Sequence, residues 1–200
     1  MDLAGYSDRI QHALAFAAKH VPSRRISERV LASAPSLAGA GVALLLASHG
    51  ADEATLVGAI LRPAVQDPGG QLARIPDKFG PEVGELLRAL VPLPLGWAVG
   101  VGGTEARRRA VALASADSGR GPLVMLGEAV HACGTWVATA RRLGPEYARD
   151  IPLVRSEAVD WFVRLAEALE SGAAGNRAGL IHDLRRLGAD LVRSLPRGDA

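Results

Sequence analysis

Lysine is almost missing from this chain. Lys19 and Lys78 are its only lysines, in a total of 23 basic residues. Arginine supplies the rest and lifts the sequence pI to 9.1, although the formal charge is only +2. So balanced a surface argues against a dedicated nucleic-acid binder. Cysteine is scarcer still, with Cys133 alone. An intrachain disulfide is therefore excluded, and the expected compartment is a reducing cytoplasm. Aromatic residues make up only 4%. A core must then be built from Ala, Leu and Val, which suit close-packed helices. Alternating runs of Val, Ile and Thr are nearly absent, so strands are not expected. The opening "MDLAGYSDRI" has no basic stretch followed by an apolar one, so no secretory signal is expected. The longest apolar run, "LAGAGVALLLA", is too short to span a bilayer and reads as a buried helix. No membrane partner is expected.

What is present points to helices. Hydrophobic residues make up 48% of 200, enough for a single all-α domain over 1–200, with its core in roughly 8–190. In "YSDRIQHALAFAAKH", Ser7 is a candidate N-cap, and Ile10, Ala13, Leu14 and Ala17 recur at helical spacing. "PSLAGAGVALLLASHG" opens on a proline and stops at Gly50. "ADEATLVGAILRPAVQD" begins near Asp52. A longer helix starts near Pro81. "VPLPLGWAVGVGGT" reads as a loop, and its "GVGG" lacks the Lys-Ser/Thr of a phosphate loop. "GPLVMLGEAVHACGTWVATARRLG" is a long apolar helix ending at Gly144. Two further helices follow, the first with Ser156 and Glu157 in its opening turns. The run Arg107-Arg108-Arg109 reads as a solvated helix face rather than a phosphate or membrane contact.

One stretch breaks this pattern: "AILRPAVQD" sets Arg62 beside Pro63 inside an apolar helix. Together with its neighbours it resembles the hydrolase domain of RelA/SpoT-type proteins, a branch of the HD superfamily. "ADEATLVGAILRPAVQD" is similar to the family's "D-x-x-x-x-x-A-A-L-L-H-D-x-V-E-D". "IPDKFGPEVGELLRALV" is similar to "I-x-x-x-F-G-x-x-V-x-x-L-V", and "LVMLGEAVHACGTW" to "L-V-K-L-A-D-R-L-H-N-L-R-T-L". "VRSEAVDWFVRLAEALESG" is similar to the closing "R-x-x-x-Y-x-x-x-A-x-x-V-x-x-G". The resemblance implies an all-helical fold. In that family the domain removes pyrophosphate from (p)ppGpp with a bound metal ion, typically Mn²⁺.

The ligand positions depart from the family pattern. Its two histidines and two aspartates fall on Ala34, Arg62, Pro63 and Glu128. Gln66-Asp67 stands for its Glu-Asp, Arg25-Ile26 for its Arg-Lys, and Ala132 for its asparagine. His131 and Thr135 match. One carboxylate is no site for Mn²⁺ or Zn²⁺. Arg62 also puts a fixed positive charge where the cation would be. In a partly buried site that repulsion is on the order of several kcal/mol. No metal or other cofactor is expected, and with it goes the usual means of making hydroxide near neutral pH.

The expected site is then a rewritten pocket for a small anionic or nucleotide-like molecule. Arg25, Arg62 and His131 are its candidate binding residues. Glu128 and Asp67 are its candidate acid–base residues. Each has a plainer alternative. Arg62 could pair with Glu128 or Asp67 to hold helices together, Arg25 could be a surface arginine, and His131 a satisfied core histidine. Cys133 reads as a small buried hydrophobe, and Trp136 and Trp161 as core or pocket walls. Trp97, in its Pro/Gly-rich loop, could close over a ligand. Whether any reaction is catalysed stays open. The rival reading is a pseudoenzyme whose surface serves a protein partner or a second copy of the chain, and a metal-dependent (p)ppGpp hydrolase using other ligands ranks last.

Overall fold

The computed structural model describes residues 7–20, 35–65, 70–93, 105, 108–112, 119–144, 156–170 and 176–194. Among them there are helices and turns and no strand. The all-helical expectation is met. The chain groups into two compact units: Met1–Ile26 with Ala34–Pro92, and Ser27–Ser33 with Leu93–Ala200.

The first unit is built around α3 (Glu53–Leu61), which packs on α1 (Asp8–His20), α2 (Pro35–Ser48) and α5 (Pro81–Leu90). Its entry is fixed by Asp52, whose carboxylate accepts the Thr55 backbone N–H at 2.9 Å. Such a cap contributes about 1 kcal/mol. Ala54, Thr55 and every residue from Val57 to Leu61 are buried. This helix is therefore enclosed on nearly all sides and needs no polar face. Helix α1 starts as expected, with Ser7 Oγ accepting the Ile10 N–H at 3.2 Å. Its buried face is Ala13, Phe16 and Ala17, whereas Leu14 is 40% exposed. Phe16 takes the inner place because its ring meets Phe79 edge-on, with centroids 5.6 Å apart.

Helix α2 is only half as enclosed as its sequence suggested. Val42, Ala43 and Leu46 are buried, but Leu44 is 75% exposed. Its inner side lies very close to α3. A Cβ on Gly39 would stand 2.9 Å from the Ile60 carbonyl oxygen and 3.0 Å from that of Ala59. Only a residue without a side chain allows that approach. A short helix α4 (Ile75–Phe79) leads through Gly80, at φ 91°, into α5. Arg9 fastens this corner. Its Nε donates to the Phe79 carbonyl at 3.0 Å, and its guanidinium also pairs with Glu82.

The second unit holds α6 (Arg120–Leu143), α7 (Ser156–Glu170) and α8 (Asn176–Ser194), each packed on the other two. Helix α6 has 24 residues and ends on Gly144 at φ 84°, whose N–H closes on the Ala140 carbonyl at 2.9 Å. Trp136 meets Phe162 edge-on at 5.5 Å. Arg141 bridges to Asp190 at 3.0 Å and so ties α6 to α8. Among the described helices, α6 is the one long and apolar enough to cross a bilayer, yet 72% of its most apolar window is buried inside the protein. That is how the core helix of a globular unit behaves.

Candidate functional site

The Arg-Pro pair ends α3. Leu61 is its last α-helical residue, and Arg62–Ala64 tighten into a 3-10 turn. Pro63 explains the change, since it has no N–H to continue the helical ladder. The turn places Arg62 inside the first unit, with 2% of its surface exposed. Its Nη2 donates to the Leu90 carbonyl at 3.4 Å. Leu90 is the last residue of α5. Carbonyls at a helix C-terminus lack intrahelical donors and carry the negative end of the dipole. A guanidinium there stabilises the end of α5 while gaining a partner for its own buried charge.

The four positions that the resemblance gives to metal ligands do not fit a divalent ion. Ala34 lies outside the described residues. Arg62 has no lone pair to give, and its charge repels a cation. Pro63 has no donor side chain, so Glu128 is left as a single carboxylate. Among the described residues, no group of three or more His, Cys, Asp or Glu stands close enough to hold a metal.

Glu128 and His131 belong to the second unit, one turn apart on α6. Glu128 is 8% exposed. His131 is half-buried, and burial lowers its pKa below the ordinary value of 6.5. The ring is therefore neutral near neutral pH. From Val124 to Ala140 nearly every residue of α6 is buried. Solvent reaches it along His131, Gly134, Thr135 and Ala138, which fall on one line of the helix. Two threonines edge this strip. Thr135 Oγ1 donates to the His131 carbonyl at 2.7 Å, and Thr139 Oγ1 to the Thr135 carbonyl at 2.7 Å. A polar, solvent-reached line on an otherwise apolar core helix, with a buried carboxylate at its head, is the arrangement most like a site in the described residues. Thr139 and the half-buried Gly134 had escaped the sequence reading. The spacing of Thr135 and Thr139, four and eight residues after His131, was the available signal.

The remaining candidates fall in several places. Arg25, Asp67 and Trp97 lie outside the described residues, as does Arg107. Arg108 and Arg109 both pair with Glu105, at 2.8 and 3.0 Å, on an exposed face. Cys133 is 0% exposed. Burial, aided by the charge of Asp190, pushes its thiol up to about 12, so it supplies no thiolate near neutral pH. Trp136 and Trp161 are core residues. His12 and His20 rest against Phe79 and Phe16, and His182 is exposed.

No protein-family model matches this chain. No curated protein matches it either. Among solved structures it is similar to a metazoan ortholog of SpoT, which hydrolyzes ppGpp and plays a role in starvation responses. The TM-score is 0.64, with 20% sequence identity over 90% of this chain and 96% of that one. At that identity the likeness speaks for the fold. The chain thus has the all-helical fold of this SpoT-type hydrolase, the fold its sequence motifs implied.

Proposed function

We propose that this chain is a metal-independent binding protein built on the hydrolase fold. Its ligand is a small anionic or nucleotide-like molecule, bound as a regulatory signal or as the substrate of acid–base chemistry. The observation that carries this reading is the strip on α6. His131 and Thr135 share the line that solvent reaches, and Glu128 lies buried one turn before them. Glu128 and a neutral His131 one turn apart also form a possible acid–base pair. Arg25 and Asp67, outside the described residues, remain candidate binding and acid–base residues.

Hydrolysis by bound Mn²⁺ is not part of the proposal, because Arg62 and Pro63 do not fit the ion. A thermal-shift screen of nucleotides and acidic metabolites, with and without a chelator, tests the reading. The expected result is a stabilising hit that the chelator leaves unchanged. Stoichiometric Mn or Zn in the purified protein, or pyrophosphate release from (p)ppGpp that the chelator stops, would overturn it.

A second reading has its own observation. Helix α2 carries no charged residue and exposes Leu44 at 75%. Uncharged outer faces of this kind suit a protein partner or a second copy of the chain. A screen without hits would put this reading ahead.

A further inference from the structure

We infer that the second unit holds a small buried binding site at Gly188 and Trp161, for a mostly apolar molecule with one hydrogen-bond-accepting oxygen. It does not depend on the binding role proposed above. Two separate observations meet there. The first is room. Gly188 is buried and shares the core face of α8 with Leu180, Leu184 and Leu191. A Cβ on it would find no atom within 4 Å beyond its two chain neighbours and its own helix backbone. The buried glycines of the first unit are different. A Cβ on Gly39, Gly58 or Gly84 would collide with the Ile60 carbonyl, Leu86 or Pro76, respectively. Those glycines let a neighbour come close, whereas nothing fills the space that Gly188 leaves. Protein interiors are packed tightly enough to make such a gap uncommon. The second observation is an unused donor. Trp161 on α7 is 4% exposed, and its indole Nε1–H is buried with no hydrogen-bond partner. Leaving a buried donor unpaired is costly, and few native groups are left so. Helix α6 brings the two together. Its Trp136 meets Phe162, next to Trp161, with ring centroids 5.5 Å apart. Two residues earlier, a Cβ on Gly134 would touch the side chain of Leu187, next to Gly188, at 3.5 Å. Trp161 and Gly188 therefore stand at one level of the three helices. Trp136, Phe162 and Leu187 make that level apolar. A single N–H in an apolar gap is a poor place for water, which needs several polar partners. It suits a compact apolar body whose one oxygen accepts from Nε1.

Butanone and its isostere 2-methyl-1-butene, alike in shape but with and without a carbonyl oxygen, test this by NMR titration of the full chain. Trp161→Phe assigns the Trp161 indole N–H resonance by its loss. Butanone should move that resonance downfield in the wild-type chain. Affinities for both probes are read from the Gly188 amide resonance. Trp161→Phe should lower the butanone-to-alkene affinity ratio by about three- to tenfold, the worth of one hydrogen bond. Gly188→Ala should fill the gap, so that both probes bind at least about tenfold more weakly. Its melting temperature should rise by about 1–4 °C, as for an unstrained Gly→Ala change in a helix. A fall in melting temperature would mean that position 188 has no room, and would overturn the inference. So would unweakened binding in Gly188→Ala, an indole resonance that butanone leaves in place, or an affinity ratio that Trp161→Phe leaves unchanged.

Discussion

Helices α3 and α6 are both core helices, and they use their polar residues in opposite ways. In α3 the polar groups stand at the ends. Asp52 and Thr55 close the entry, and Arg62, just past the last turn, binds the end of α5. Asp52 takes up the Thr55 N–H and Arg62 donates to the Leu90 carbonyl, so both answer backbone groups at helix ends. In α6 the polar groups stand in the middle, where the helix satisfies its own backbone and needs no help. His131 and Thr135 line the strip that solvent reaches, and Glu128 lies buried one turn before them. Polar residues at helix ends serve folding. Polar residues in the middle of a core helix answer a partner side chain or a ligand instead.

Three measurements press on that contrast. The largest effect is expected from Arg62→Ala. It removes a buried side chain and leaves the Leu90 carbonyl without this donor, which should cost roughly 2–4 kcal/mol in urea unfolding. A loss below about 0.5 kcal/mol would mean that Arg62 does not hold the first unit together. Thr139→Val should cost less, about 1 kcal/mol, because it breaks one hydrogen bond and keeps the shape. Ligand affinity should not change, since Thr139 is only 6% exposed. A large drop in affinity would extend the site along α6 beyond Thr135.

The smallest effect is a pH dependence from His131. Its folded pKa lies below the ordinary value of 6.5, so the unfolded chain takes up a proton first as pH falls. The stability this group contributes is present above 6.5 and is lost as pH falls through the lower folded value. Melting temperature should therefore decline as pH falls from 6.5 toward the lower folded value and level off beneath it, and His131→Asn should flatten the decline. An unchanged slope in the variant would assign the dependence to other groups.

Much of the fold was legible in the sequence because helix ends are written in local chemistry. Ser7, Pro35, Asp52, Pro81 and Gly144 each mark a boundary that the structure keeps. The Arg-Pro pair marked another. Faces were harder. Leu14 and Phe16 are equally plausible inward residues on α1, and the choice falls to Phe79, more than sixty positions away. The exposure of Leu44 was illegible for the same reason, since an apolar run does not say which side its neighbours cover. Arg62 was recognised as the anomalous residue, but one of its partners is a main-chain carbonyl 28 positions on. No residue type announces such an acceptor. The strip was half legible: His131 and Thr135 stood out by resemblance, while the direction of the threonine hydroxyls is a matter of geometry.

The close approach at Gly39 ties two distant letters of the sequence together. Pro63 has no N–H to return to the Ala59 carbonyl, and that carbonyl and the next face the bare Cα of Gly39. The third atom crowding the same point is Cγ of Pro63 itself, at 3.2 Å. Position 39 is therefore closed to any side chain. Relatives of this chain that keep this approach of α2 to α3 should keep glycine there whatever stands at 63, because the two carbonyl oxygens alone leave no room for a Cβ. Two segments far apart in the chain are thus held at one spacing by a missing side chain.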